Sequence, residues 1–300
     1  MLTQNDIQTR IPHRFENELI DTVTLHEDNR ATCTLKVTDN DPLNRTIFME
    51  NNQAMSSLPA EILALASIVH AGPLPENTLV FFASISNFTY TAPLQLNAPI
   101  TGVVTHKLNK GPFIKYSGSL SNATDTIATV DIMATISAEK PTPTSPQTSQ
   151  PTPTTVFNPS ATEWARHPDL IVCDGLINHT DTSITGTYLF PTTHPLIKGH
   201  FPDFPVMMGI LQWQGVADTV LTYLKATKKD GSYSATCDAQ LMNGNEVVSD
   251  IKNCQIDLNN HVENSTATIT KTKKVTFKAM VFPGQQLTIQ VTNLTLEKRP

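Results

Sequence analysis

A stretch rich in proline and threonine divides this 300-residue chain into two halves of nearly equal length. It runs from 141 to 156 and opens with Pro141-Thr142-Pro143-Thr144. Such sequence is stiff and extended, because proline fixes one backbone angle and has no amide hydrogen to donate. It therefore predicts a linker between an N-terminal domain over residues 1–140 and a C-terminal domain over residues 157–300.

The two halves repeat one pattern of predicted strands. In the first half, residues 87–92 and 100–104 alternate apolar with polar side chains on either side of a proline-containing bend. In the second half, residues 274–279 and 287–291 do the same. Alternation of this kind is typical of half-buried strands, so each half is predicted to contain a strand, a bend and a second strand.

Each strand pair is preceded by one apolar helix, predicted over residues 58–71 in the first half and 210–224 in the second. Both helices are apolar over most of their circumference, which suits a helix enclosed by a sheet better than one on a surface. One long helix with about five to seven antiparallel strands, present twice, predicts an α+β fold. The expected architecture is a double hotdog, in which two antiparallel sheets each wrap a central helix.

The repeat is imperfect near the end of the chain. After its strand pair, the first half adds a predicted hairpin over 113–120 and 126–136. In the second half a hairpin is predicted before the pair, over 234–240 and 246–251, with Asn243-Gly244 suited to its turn. We therefore expect the C-terminal domain either to be rearranged or to have its last strands truncated.

Charge and composition exclude several classes of protein. The net charge of −6 and the pI near 5.8 argue against a nucleic-acid partner, because phosphates require a basic surface. No apolar run reaches the roughly 18 residues that span a bilayer, and the first residues lack the pattern of a secretory signal. The four cysteines show no CxxC pair. We therefore expect a cytoplasmic protein with no membrane segment and no cysteine-based metal site.

One segment carries a resemblance to a known family. Residues 199–211 read GHFPDFPVMMGIL, and this resembles the active-site loop and helix start of the β-hydroxyacyl-acyl-carrier-protein dehydratases, GHFPxxPxxPGxL, with Met208 in place of a proline. Ile11-Pro12-His13-Arg14 and Leu19-Ile20-Asp21 are similar to the LPHR and LVD elements of the same family. The resemblance is dense only over residues 196–218.

The resemblance implies a 3-hydroxyacyl thioester of acyl carrier protein or CoA as substrate, and dehydration or its reverse as the reaction. Dehydration removes an α-proton and protonates a leaving hydroxyl, so it needs a base and an acid. His200 would be the base, since histidine titrates near neutrality, and Gln214 or Asp218 would be the orienting group. The implied substrate-binding residues are Gly199, Phe201, Pro202, Gly209, Trp213, Ala66 and His70, with Gly209 as donor to the thioester oxygen.

The chain departs from the family at the second catalytic position. The family has a carboxylate where this chain has Gln214, and a glutamine where it has Asp218, one helical turn later. The family also pairs the histidine of one hotdog with the carboxylate of its partner, so His200 is expected to face the first helix near Ala66 and His70. Neither residue is a carboxylate, and Glu61 is predicted to be only a first-turn helix residue.

Two other functions stay open at this point. A thioesterase would use Asp218 or His200 to activate water, and a non-catalytic member would bind acyl chains or act as a partner subunit. No cofactor and no metal are expected, because His194 and His200 lack the spacing of metal ligands. The two halves would form an internal pseudo-dimer with the capacity to associate further. The basic cluster 271–278 predicts a solvated strand face or, as the alternative, an edge that faces an acidic carrier protein.

Overall fold

A computed structural model describes residues 1–73, 78–137, 154–156 and 163–300. The chain divides into two compact units, which do not follow the chain order strictly. The first unit combines Met1–Thr142 with Leu196–Pro205, and the second combines Pro143–Pro195 with Val206–Pro300. Most of the predicted linker, residues 141–153, lies outside the described residues. The GHFP segment therefore belongs to the first unit, although its sequence lies in the second half of the chain.

The first unit contains an antiparallel sheet and one long helix. Its strands follow the order β1-β2-β6-β7-β8-β5, and β3 and β4 form a separate small hairpin. The elements are α1 (Gln4–Gln8), β1 (Thr22–Leu25), β2 (Arg30–Leu35), β3 (Met49–Glu50), β4 (Gln53–Ala54), α2 (Leu58–Ala71), β5 (Leu79–Tyr90), β6 (Ile100–Lys110), β7 (Phe113–Ser121) and β8 (Thr126–Ser137).

Helix α2 is the centre of the first unit, and its bounds are those predicted from the sequence. It packs against all six strands of the main sheet, and every side chain from Leu58 to Val69 is buried. Gly102 and Gly118 allow the close approach, because a Cβ on either would come within 3.3 Å of the Leu63 side chain. An apolar helix wrapped by a sheet is the expected hotdog arrangement.

The second unit has the same components. Its sheet follows the order β9-β10-β11-β15-β12-β13-β14, and helix α3 packs against β10, β11, β13, β14 and β15. The elements are β9 (Thr155–Val156), β10 (Gly175–His179), β11 (Ile184–Leu189), α3 (Gly209–Ala226), β12 (Gly231–Asn243), β13 (Glu246–Asn260), β14 (Thr266–Phe277) and β15 (Gln286–Lys298).

The strand orders show that the second unit is rearranged. The strand after α2, β5, pairs with β8, and β6 pairs with β2; in the second unit β14 pairs with β13 and β15 pairs with β11. The hairpin β7–β8 of the first unit corresponds in the same way to the hairpin β12–β13 of the second. The hairpin therefore follows the strand pair in one unit and precedes it in the other.

Candidate active site

The N-terminal segment folds into a tight turn that holds His13 inside the first unit. The guanidinium group of Arg14 donates hydrogen bonds to the backbone oxygens of Gln8, Ile11 and His13, at 3.0, 2.8 and 2.6 Å. These bonds tie the end of α1 to the turn that follows it, because one planar side chain bridges three carbonyl groups. The His13 side chain is thereby fixed in a buried position, with 3% of its surface exposed.

The GHFP segment packs directly against this turn. The backbone N–H of Arg14 donates to the carbonyl of Gly199 at 3.1 Å, and the Asn17 side-chain amide donates to the carbonyl of Leu196 at 3.4 Å. A Cβ at Gly199 would overlap the backbone oxygen of Arg14 and the side chain of Asn17. Glycine is therefore required for contact between the two backbones, and this contact brings His200 to His13.

His13, Glu61 and His200 form a buried cluster. The candidate ligand atoms of these three side chains all lie within 4.8 Å of one another. Nε2 of His13 is 3.7 Å from Oε1 of Glu61, and the ring centroids of His13 and His200 are 5.0 Å apart at an angle of 64°. Glu61 is in the first turn of α2, as predicted, and is 1% exposed. The structure thus brings a carboxyl group to the histidine of the GHFP segment.

Phe201 closes the cluster on one side. Its ring is stacked on His200 with a centroid distance of 4.5 Å and meets the edge of His13 at 5.0 Å. On its other side it contacts Phe81 of β5, with 6.1 Å between centroids. Phe201 is itself buried, whereas Pro202 next to it is exposed. The aromatic ring keeps water away from the polar groups and so lowers the local dielectric constant.

Burial decides the protonation states of the cluster. It raises the pKa of Glu61 to about 8, so this side chain is a carboxylic acid at neutral pH. Burial also lowers the pKa of His13 well below its ordinary value, and the neighbouring His200 and Arg14 act in the same direction. At 3.7 Å an ion pair would be close enough to form, but both groups are held neutral. At neutral pH the pair is therefore a neutral imidazole beside a carboxylic acid.

The same three side chains have the donor set of a metal site. Two imidazoles and a carboxylate are ligands that zinc accepts, with bonds of about 2.0–2.2 Å. The distances of up to 4.8 Å between ligand atoms would have to contract for one ion to reach all three. Sequence spacing did not indicate this grouping, because its members come from three separate segments. The expectation that the protein binds no metal stays a prediction.

Asp218 and Gln214 lie in α3 of the second unit, where each has its own partners. The Asp218 carboxylate accepts two hydrogen bonds from Arg166 at 2.7 and 2.9 Å and one from the backbone N–H of Val172 at 2.8 Å. The Gln214 amide donates to the backbone oxygen of Ala267 at 3.0 Å. Burial raises the pKa of Asp218, and Arg166 opposes this shift. These hydrogen bonds fix the position of the Asp218 side chain in the second unit, and its predicted catalytic role stays a prediction.

The remaining predicted site residues are spread over both helices. Gly209 begins α3, where an added Cβ would contact Phe277 at 3.0 Å, and Trp213 is fully buried one turn later. In α2, Ala66 is fully buried, and His70 pairs through Nδ1 with the Tyr116 hydroxyl at 2.8 Å. The carboxyl group beside His200 comes instead from Glu61, nearer the start of α2. The predicted substrate-binding roles of these four residues stay predictions.

Sequence reasoning did not assign His13 and Glu61 to the site. His13 was part of a recognised family element, and this was the available signal for its proximity to the GHFP segment. The sequence-based expectation instead placed Ala66 and His70 opposite His200, and Glu61 lies more than one helical turn before Ala66. A buried glutamate in the first turn of an otherwise apolar helix was the signal for its role.

No family model matches the chain. A segment of 54 residues is 35% identical to the 3-hydroxyacyl-(acyl-carrier-protein) dehydratase FabZ of Thermotoga petrophila and, equally, of Thermotoga neapolitana. The match includes 18% of this chain and spans 39% of the length of these curated relatives. This chain resembles the hotdog-fold dehydratases. The similarity to these dehydratases confirms the resemblance that the GHFP segment had indicated.

Solved structures with a similar fold include dehydratases and thioesterases. The dehydratase heterocomplex ApeI:P from Xenorhabdus doucetiae is 14% identical, with a TM-score of 0.38, and the alignment covers 43% of this chain and 89% of that one. A hypothetical thioesterase with coenzyme A from Streptococcus pneumoniae is 10% identical, with a TM-score of 0.32, over 39% and 84% of the two chains. Within the described residues, no helix combines the length and the apolar character needed to cross a bilayer.

Proposed function

We propose that this protein dehydrates a 3-hydroxyacyl thioester, carried by acyl carrier protein or CoA, and catalyses the reverse hydration. The observation that carries the proposal is the placement of His200 beside Glu61, whose pKa of about 8 keeps it protonated at neutral pH. A histidine base and a carboxylic acid are the two groups that β-elimination of water requires. Both groups are buried, with exposed fractions of 7% and 1%, so they act in a site that excludes bulk water.

The reaction uses the two groups in turn. His200 removes the proton from C2 of the substrate, and the electron pair forms the C2=C3 double bond. The bond between C3 and the hydroxyl oxygen breaks as Glu61 gives its proton to that oxygen, and water leaves. His200 then carries one extra proton and Glu61 one fewer. Transfer of that proton from His200 to Glu61, across the short distance between them, restores the starting state.

Charge that develops on the thioester oxygen needs a hydrogen-bond donor. We assign this role to the start of α2, where Ser57 is the N-cap residue and precedes Glu61 by one helical turn. The Ser57 hydroxyl is fully buried and has no hydrogen-bond partner among the described residues. Its position at the positive end of the helix dipole suits an oxyanion. Gly209, the donor predicted from the sequence, is the first residue of α3 and follows its N-cap residue, Met208.

We assign the acid to Glu61 rather than to Asp218 or Gln214. The Asp218 carboxylate is held by Arg166 within the second unit, whereas the Glu61 carboxyl group lies in the cluster with His200. Gln214 has no exchangeable acidic proton.

The proposal includes both acyl carrier protein and CoA as carriers of the substrate. Lys271, Lys273, Lys274 and Lys278 are exposed on and just after β14, which would favour an acidic carrier through long-range attraction.

The test is an assay of 3-hydroxyacyl thioesters on both carriers, followed by the ultraviolet absorbance of the conjugated enoyl product. His200→Ala and Glu61→Gln are each expected to reduce turnover by at least about 100-fold. His26→Ala and Glu27→Gln are matched controls, because both residues are exposed in one turn after β1, and both variants should keep full activity. Release of free thiol without enoyl product would indicate the thioesterase instead. If neither product forms with short, medium or long acyl chains, the proposal fails.

A further inference from the structure

His13 is a polar side chain that the fold leaves unsatisfied. Both of its ring nitrogens are buried, and neither has a hydrogen-bond partner among the described residues. A buried donor or acceptor without a partner destabilises the folded state, whereas an apolar ring of similar size would fill the same space without that cost. Arg14 holds this unsatisfied side chain in place through three hydrogen bonds to the surrounding backbone. The arrangement points to a partner that His13 meets during the reaction.

The two carboxyl oxygens of Glu61 have different surroundings. Oε1 is 3.7 Å from Nε2 of His13, whereas Oε2 is buried with no hydrogen-bond partner among the described residues. An N–H on Nε2 of His13 would be donated to Oε1, so the acidic proton would reside on Oε2. The oxygen that carries the proton is then the one left for the substrate hydroxyl.

We infer that His13 is a positioning residue for Glu61, an inference that rests on the proposed dehydratase function. It donates Nε2–H to Oε1, keeps the acidic proton on Oε2, and stabilises the carboxylate that remains after Glu61 has protonated the leaving hydroxyl. A hydrogen bond to a carboxylate is stronger than one to a carboxylic acid, so His13 favours proton release at the step that needs it. His13 itself exchanges no proton with the substrate.

The separation of 3.7 Å is longer than a hydrogen bond, and the bond must shorten by roughly 0.7 Å to form. Catalytic hydrogen bonds are often long in the free enzyme and tighten once substrate is bound. The groups that act on His13 electrostatically are Arg14 on its own segment and His200 on the GHFP segment. Both favour the neutral imidazole, which retains the single N–H that the inference requires.

A pair of amide substitutions tests the inference. The side-chain nitrogen of glutamine reaches the position of Nε2, whereas that of asparagine reaches only the position of Nδ1. His13→Gln should therefore keep turnover within about threefold of the original, and His13→Asn and His13→Phe should lower kcat by about 10- to 100-fold with little change in KM. The basic limb of the pH–rate profile should move to higher pH in the Asn and Phe variants only, because a more weakly stabilised carboxylate gives up its proton less readily.

A direct titration of Glu61 separates this inference from the proposed function. The Glu61 carboxyl, followed by carbon NMR or infrared difference spectroscopy without substrate, should have its pKa raised by about 1 in His13→Asn relative to His13→Gln. Equal pKa values and equal pH–rate profiles in these two variants would overturn the role of His13, even in an active dehydratase. Absence of enoyl product from the unmodified protein would overturn the dehydratase, and the titration would still report on the contact. If His13→Phe does not fold, the Gln and Asn pair decides the question.

Discussion

Nε2 of His13 lies 3.7 Å from Oε1 of Glu61, and burial holds both side chains neutral. The two residues come from distant parts of the first unit, one from the turn after α1 and the other from the first turn of α2. A neutral buried pair stabilises the fold in a pH range different from that of an ion pair. This difference makes the pair accessible to equilibrium measurements that need no substrate.

Glu61→Gln should change the pH dependence of stability. The Glu61 carboxyl has a pKa of about 8 when folded and an ordinary value of 4.5 when unfolded, so the folded state binds the extra proton between these pH values. Stability contributed by this group is therefore lost as pH rises from about 4.5 to about 8, by roughly 5 kcal/mol in total. Glutamine does not titrate, so the variant should gain stability over the original protein as pH rises. Urea unfolding at pH 5, 7 and 9 measures this, and parallel pH curves for the two proteins would contradict it.

Asp218→Asn should destabilise the protein without removing its chemistry. The Asp218 carboxylate is fully buried and pairs with Arg166 at 2.7 Å, and removal of one partner of such a pair costs about 3–5 kcal/mol. Thermal and urea unfolding should show the loss, whereas turnover of the folded fraction should stay near that of the original. Asp181→Asn, at an exposed position, is the control. A fall in turnover as large as that of His200→Ala, at unchanged stability, would instead assign Asp218 to catalysis.

Gly199→Ala should impair activity although the substitution adds only a methyl group. The new Cβ would overlap the backbone oxygen of Arg14, so the GHFP segment must move away from the N-terminal turn. A displacement of His200 by about 1 Å can reduce the rate by about 100-fold. Lys198→Ala, an exposed neighbour, should be nearly neutral. Full activity of Gly199→Ala would show that the contact does not set the position of His200.

Removal of metal ions should leave the proposed dehydration intact. The base and the acid are both side chains, so protein dialysed against EDTA should retain its full rate. Added Zn²⁺ should inhibit, because His13, Glu61 and His200 offer the donor set that zinc prefers and two of them are needed free for proton transfer. Loss of activity after EDTA that zinc restores would reverse this assignment and make the cluster a metal centre.

The local elements of both units could be read from the sequence. The bounds of α2 were predicted correctly and those of α3 nearly so, because apolar periodicity reports directly on a buried helix. The hairpin β12–β13 was predicted with its turn at Asn243-Gly244, one residue before the observed turn at Gly244-Asn245. The resemblance of the GHFP segment indicated the hotdog fold, and the expectation that His200 is catalytic rests on the same segment and stays a prediction.

The partner of His200 could not be read in the same way. The expected register of α2 was wrong because it depends on the length of the connection that precedes the helix, and this length varies without cost to the helix. The error placed Ala66 and His70 where the structure has Glu61. The proximity of His13 to His200 was not predicted either. It depends on the backbone hydrogen bond between Arg14 and Gly199, and a contact of this kind leaves no periodic pattern in the sequence.

The displaced hairpin of the second unit alters the order in which its sheet is completed during synthesis. Strands β12, β13 and β14 are consecutive in sequence and are neighbours in the sheet, so they can pair as soon as each leaves the ribosome. In the first unit, β5 emerges directly after α2, but its pairing with β8 must wait until β6 and β7 have been made. The nascent first unit therefore exposes an unpaired strand for longer, and that interval is where a chaperone would be most needed.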